Sequence, residues 1–109
     1  MRSAHLYRAT VILHPGVDER ELGAAVTVEL CGSWDHEGSC RWPHHNRIHA
    51  EGTTTSFNTI FVCEPEERDE IGDRIDRSLR SCGLGDVCGG GITDVSSADA
   101  DLAARLTRS

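Results

Sequence analysis

The chain contains no lysine; all eleven of its basic residues are arginine. That absence excludes Schiff-base and other lysine-nucleophile chemistry. Eighteen acidic residues leave a formal net charge of −7. Such a balance argues against non-specific nucleic-acid binding, which needs Lys and Arg to displace counterions. Any macromolecular partner is expected to be basic. Aromatic residues are scarce at 5%, so the core must rest on Val, Ile, Leu and Ala, and a bound ion or partner would supplement it. No run of eighteen apolar residues occurs, so no membrane-spanning helix is expected. The N-terminus, Met1 to Arg8, lacks the apolar centre of a secretory signal, which makes a cytoplasmic location the expectation. Five cysteines cannot all pair within one chain, and without a secretion signal reduced thiols are expected.

What is present fits a single domain over residues 1–109, long enough for one core and too short for two. His5 to His14 alternates Tyr7, Ala9, Val11 and Leu13 onto one face and reads as a strand ended by Pro15-Gly16. Asp18 to Leu22 offers one helical turn, which Gly23 should break. Ala24 to Cys31 places Val26, Val28 and Leu30 at period two and reads as a second strand. A long loop then runs from Gly32 to Gly52. Thr53 to Glu64 reads as a third strand, apolar on both faces near its end and so central. Glu64-Pro65-Glu66-Glu67 is a helix start, with Pro in the first turn and carboxylates at the positive end of the dipole. Ile71, Ile75 and Leu79 carry that helix at four-residue spacing to about Cys82. Residues 96–109 fit either a short helix capped by Ser97 or a strand, and a strand through Val87-Cys88 or Ile92-Val95 competes. The expected class is α+β: three to four antiparallel strands with one main helix on a face, ferredoxin-like in outline, and a long Cys/His/Trp loop between the second and third strands.

That loop concentrates the chemistry. Cys31, His36, Cys40, His44, His45 and His49 lie within nineteen residues, with Trp34 and Trp42, the only tryptophans. Clustered nitrogen and sulfur donors are what a zinc-like transition metal needs. Cys31, His36, Cys40 and His44 give a Cys2His2 set, for which His45 or His49 can substitute. The spacing matches no paired-ligand finger, since no Cys-x2-Cys is present. Two other readings compete: polar loop residues packed around two tryptophans, and a Cys31 to Cys40 disulfide, which the compartment disfavours. His49-Ala50-Glu51 has the local form of a zinc-deaminase motif. The Pro-Cys-x2-Cys and the helix that motif requires are missing, so that reading fails. Cys82 and Cys88 could form a redox pair, although each also suits a small core position. Gly89-Gly90-Gly91 lacks the Lys-Ser/Thr of a phosphate loop and reads as a bulge or crossing.

Together these residues lead to the expectation of a structural zinc-type site in the 31–49 segment, supporting recognition of a partner. The first alternative is a metal-free acidic interaction protein, of inhibitor or immunity type. Its surface would combine Glu66 and Glu67 at the helix start with Trp34 and Trp42. A metal- or thiol-dependent enzyme ranks last, because nothing in the sequence points to a substrate.

Overall fold

The computed structural model describes residues 1–31 and 42–108. Strand Ser3–Leu13 (β1) leads to helix Arg20–Cys31 (α1), strand His44–Glu51 (β2) and strand Thr54–Cys63 (β3). A 3-10 turn, Pro65–Glu67, opens helix Arg68–Ser81 (α2), followed by strand Gly85–Thr93 (β4). A second 3-10 turn, Ser97–Asp99, opens helix Ala100–Thr107 (α3). The strands form one antiparallel sheet in the order β2-β3-β1-β4. The α+β class and the antiparallel sheet are as the sequence predicts, with three helices where one main helix is expected.

Two expectations are corrected. Residues 24–31 are not a strand but the greater part of α1. Val26, Val28 and Leu30 do alternate, but the buried set is Leu22, Gly23, Val26 and Leu30, with Leu22, Val26 and Leu30 at the four-residue spacing of one helix face. Val28 is 46% exposed. Gly23 does not end this helix. A Cβ there would stand 3.3 Å from Asn46 Nδ2, so the missing side chain lets α1 approach β2. Tertiary packing outweighs the poor helix propensity of glycine and of β-branched residues. The helix is started by Asp18, whose carboxylate accepts from Arg20 N–H at 2.9 Å.

The second correction concerns the segment expected as loop up to Gly52, in which residues 44–51 are β2. This edge strand has one apolar residue of note, Ile48, and is held by backbone pairing to β3 from His44↔Phe61 to Glu51↔Thr54. The connection is a two-residue hairpin turn, with Gly52 at φ +63° in the first central position, where a positive φ favours glycine.

The core lies between the sheet and the α1–α2 layer. Tyr7, Ala9 and Val11 of β1 and Phe57 and Phe61 of β3 meet Leu22, Val26 and Leu30 of α1 and Ile71, Ile75 and Leu79 of α2. Period-two alternation turns Ile60 and Val62 to the other face, where both are buried and α3 packs against β3 and β1. For the C-terminal segment the structure decides for a helix at 100–107, while the additional strand runs through Val87, Cys88 and Ile92.

Candidate anion-binding face

Strand register assembles a site from residues far apart in sequence. Arg8 of β1 is paired with Asn58 of β3, and Asn58 with Arg47 of β2. Directly paired residues project to the same side, so the three form one row across the sheet, on the face opposite α1 and α2. In the adjacent row Leu6 pairs with Ile60 and Ile60 with His45. The turn before α3 adds Ser96 and Asp99, and these groups enclose a cavity of about 210 Å3. Arg47 meets the Asp99 carboxylate with two N–H groups, at 3.0 and 3.3 Å. The hydrogen bonds from Arg47 hold the Asp99 carboxyl below the usual carboxylate range. Arg8 is exposed and carries no hydrogen bond or ion pair within the described residues. The Leu6 and Ile60 side chains supply an apolar floor beside two guanidinium groups, which suits a small ligand with an anionic group.

The predicted metal donors divide between the two faces of β2. His44 faces α1, with its Nδ1 3.8 Å from Cys31 Sγ. His45 and His49 are exposed and project to the opposite face by alternation. His36, Cys40 and Trp34 lie outside the described residues. Among the described residues, no three His, Cys, Asp or Glu side chains converge as metal ligands would. Cys31 is disulfide-bonded, whereas Cys63, Cys82 and Cys88 are free thiols.

His44 belongs to a chain of hydrogen bonds that fastens α1 to the sheet. The fully buried Thr59 hydroxyl donates to Asn46 Oδ1 at 2.8 Å. Asn46 Nδ2 donates to the Gly23 carbonyl at 3.1 Å and to Thr27 Oγ1 at 3.2 Å. Thr27 then donates to His44 Nε2 at 3.1 Å, and His44 Nδ1 donates to the Trp42 carbonyl at 3.1 Å. This assignment of protons satisfies every member and fixes the imidazole tautomer. Both ring nitrogens are thereby engaged within the protein.

Among the residues expected to meet a partner, Trp42 is 7% exposed and sits in the core, with the Arg74 guanidinium carbon 5.0 Å from its ring centroid. Glu67 reaches back to accept from Glu64 N–H at 3.2 Å, closing a capping box before α2. Glu66 is exposed. Cys82 and Cys88 are both free thiols: Cys82 Sγ donates to the Leu79 carbonyl at 3.1 Å, and Cys88 lies exposed on β4 opposite Thr10.

The triglycine run is a bulge. The β1–β4 register shifts between Arg8 and Thr10, and Gly89 and Gly90 have φ of +72° and +121°. Beside it, the Tyr7 hydroxyl donates to Asp76 Oδ1 at 2.6 Å, and Arg80 donates to Asp76 Oδ2 at 2.8 Å and to the Gly89 carbonyl at 2.6 Å. Burial, and then the Asp76 carboxylate, push the Tyr7 phenol above its ordinary range. Such a phenol keeps its proton, so the network braces α2 against β1 and β4 rather than exchanging protons.

Arg8, Arg47, Asn58 and Asp99 are functional candidates that sequence reasoning misses. Their only signal is a polar residue at the outward position of a strand or just before a helix, which is the ordinary pattern of a solvated surface.

No family model matches the chain, and no curated protein matches it. Among solved structures it is similar to the "De novo designed protein Foldit4". The two share 14% identity and a TM-score of 0.59, over 88% of this chain and 100% of that one. At that identity the likeness concerns the fold alone.

Proposed function

We propose that this protein is a small ligand-binding module that takes an anionic small molecule on the outer face of its sheet. The alignment of Arg8, Asn58 and Arg47 over one cavity carries the reading. In a chain of net charge −7, the overall field repels anions, so the feature that would overcome it is a local pair of guanidiniums beside an amide, Arg8 open and Arg47 carrying the Asp99 carboxylate. The cavity of about 210 Å3 has room for about seven waters' worth of ligand, given roughly 30 Å3 for each water. That is the size of a short dicarboxylate, and guanidinium forks match carboxylate geometry.

We propose a ferredoxin-like outline for the domain, a reading supported by the order of elements as two interleaved β-α-β units. That fold hosts many functions, so the site and not the topology carries the proposal. Thermal unfolding with millimolar glutarate tests it. Ligand at a hundred times its dissociation constant stabilises by about 2.7 kcal/mol, so the midpoint should rise in wild type and not in Arg8→Gln. An unchanged midpoint in wild type across a series of short dicarboxylates would sink the reading.

The zinc-type reading of residues 31–49 stands as a second proposal, favoured by the approach of Cys31 Sγ to His44 Nδ1. It requires reduction of the Cys31 disulfide and release of one His44 nitrogen from Thr27 or Trp42. Metal analysis of reduced protein, purified without a His tag, decides it; less than about a tenth of an equivalent rules it out. Binding of a basic partner through the exposed Glu66, Asp69, Glu70 and Asp73 is supported only by their exposure and the net charge, and loss of a pull-down partner in Glu66→Lys tests it. A cytoplasmic setting likewise remains a proposal, and the disulfide at Cys31 weighs against it.

A further inference from the structure

We infer that Asp99 is a built-in occupant of the anion site, and that the segment from Ser96 into α3 is a latch which a dicarboxylate ligand displaces. This rests on the reading of the sheet face as an anion site and names both its ligand class and its regulation.

The Asp99 carboxylate lies on Arg47 in the two-pronged geometry that a ligand carboxylate would adopt, at 3.0 and 3.3 Å. It is the chain's own version of the ligand. Its side chain is 17% exposed while that of Arg47 is 52% exposed, so the seat is reachable from solvent. The other groups near Asp99 are the Ser96 hydroxyl, which donates to Oδ2 at 3.3 Å, and the His45 imidazole.

The body of α3 packs on β3 and β1, whereas the turn bearing Asp99 is held to the sheet by polar groups. Helix α3 has eight residues, of which only Ala103 is buried, and a helix of that length does not persist without tertiary support. Its polar ties to the rest of the fold include the Arg47–Asp99 pair and a hydrogen bond from Arg2 to the Thr107 carbonyl at 3.0 Å. Exchanging one carboxylate for another on Arg47 is therefore able to loosen the Ser96–Asp99 turn and the start of α3, while the rest of α3 stays packed on β3 and β1.

Ligand class follows from the exchange. A monocarboxylate that displaces Asp99 replaces one carboxylate–Arg47 pair by another and gains nothing in ion pairing. A second carboxylate reaching Arg8 is a net gain, because Arg8 has no partner among the described residues. Arg8 and Arg47 are separated by the Asn58 strand, two strand spacings or about 10 Å between backbones. Their long side chains can close on a ligand whose carboxylates are separated by a few carbons.

The experiment is calorimetric titration of glutarate and butyrate into wild type, Asp99→Asn and Arg8→Gln, with hydrogen exchange of residues 100–107 in each state. Wild type should bind glutarate at least about tenfold more tightly than butyrate, a difference of about 1.4 kcal/mol. Asp99→Asn should bind both ligands more tightly than wild type, and Arg8→Gln should lose the preference. Saturating glutarate should accelerate exchange at the start of α3 in wild type. Equal glutarate affinity in wild type and Asp99→Asn, or unchanged α3 exchange on saturation, overturns the latch while leaving the anion site standing. Absence of glutarate binding in both wild type and Asp99→Asn overturns the site itself, and the latch with it.

Discussion

His44 and His45 are consecutive in the chain and stand on opposite faces of the sheet. His44 lies against α1, sharing a hydrogen bond with Thr27 at 3.1 Å, while His45 borders the cavity next to Arg47. Their removal should separate stability from binding. His44→Ala removes the hydrogen bonds that its ring makes with Thr27 and the Trp42 carbonyl and should cost about 1–3 kcal/mol. His45→Ala, on an exposed side chain, should change stability by less than about 0.5 kcal/mol. Urea unfolding of both variants distinguishes them, and a large loss from His45→Ala would contradict the assignment of faces.

Gly90 is constrained both by its backbone and by its neighbours. Its φ is +121°, and a Cβ there would stand 2.8 Å from both Asp76 Oδ1 and the Tyr7 hydroxyl. Gly90→Ala should therefore destabilise the fold by about 2–3 kcal/mol through strain and loss of the Tyr7–Asp76 bond. Gly91, with open space around its Cβ position, is the matched control and should tolerate alanine far better. Equal effects at the two positions would rule out a specific bulge.

The Tyr7–Asp76–Arg80 network predicts the pH limits of stability. Burial alone would raise the Asp76 carboxyl, but the hydrogen bonds from Arg80 and Tyr7 more than offset it and hold it below its ordinary value. A carboxyl so depressed stabilises the fold above the unfolded value of about 3.9, and the contribution is lost as pH falls through the folded value. Tyr7 is shifted the other way, upward. Its contribution is complete below the unfolded value of about 10 and declines as pH rises beyond it. Tyr7→Phe should thus cost stability at neutral pH and flatten the alkaline limb of a pH–stability profile. A parallel profile in the variant would place the alkaline transition elsewhere.

The free thiols should react in an order set by burial. Cys63 is 1% exposed, and burial, with Glu67 and Glu64 nearby, pushes its thiol up to about 11. Only the thiolate is a nucleophile. Cys88, exposed on the edge strand, should alkylate rapidly with iodoacetamide at neutral pH, while Cys63 reacts only after unfolding. Peptide mass spectrometry reads the order directly, and early labelling of Cys63 would show that β3 is not buried as described.

The sequence by itself determined the elements whose apolar spacing is strong and local. Ile71, Ile75 and Leu79 with Glu64-Pro65 specify α2, and the alternating Tyr7, Ala9 and Val11 specify β1, because burying one face of a regular element writes its period into the chain. Only the tertiary structure decided α1 and β2. In α1, Val26 and Leu30 fit either period while Val28 fits only the strand's, and packing of Leu22, Val26 and Leu30 into the core, with Gly23 close to β2, selects the helix. In β2, Ile48 is the one large apolar residue, and backbone pairing to β3 supplies what the side chains do not announce. The candidate site depends on the same kind of information. Cysteine and histidine clustering draws the eye to residues 31–49, yet period-two geometry sends His44 and His45 to opposite faces. Arg8, Arg47 and Asp99 look like solvated charges until register sets them around one cavity. Register is a relation between distant strands, fixed by the fit of the whole core, and no single stretch of sequence contains it.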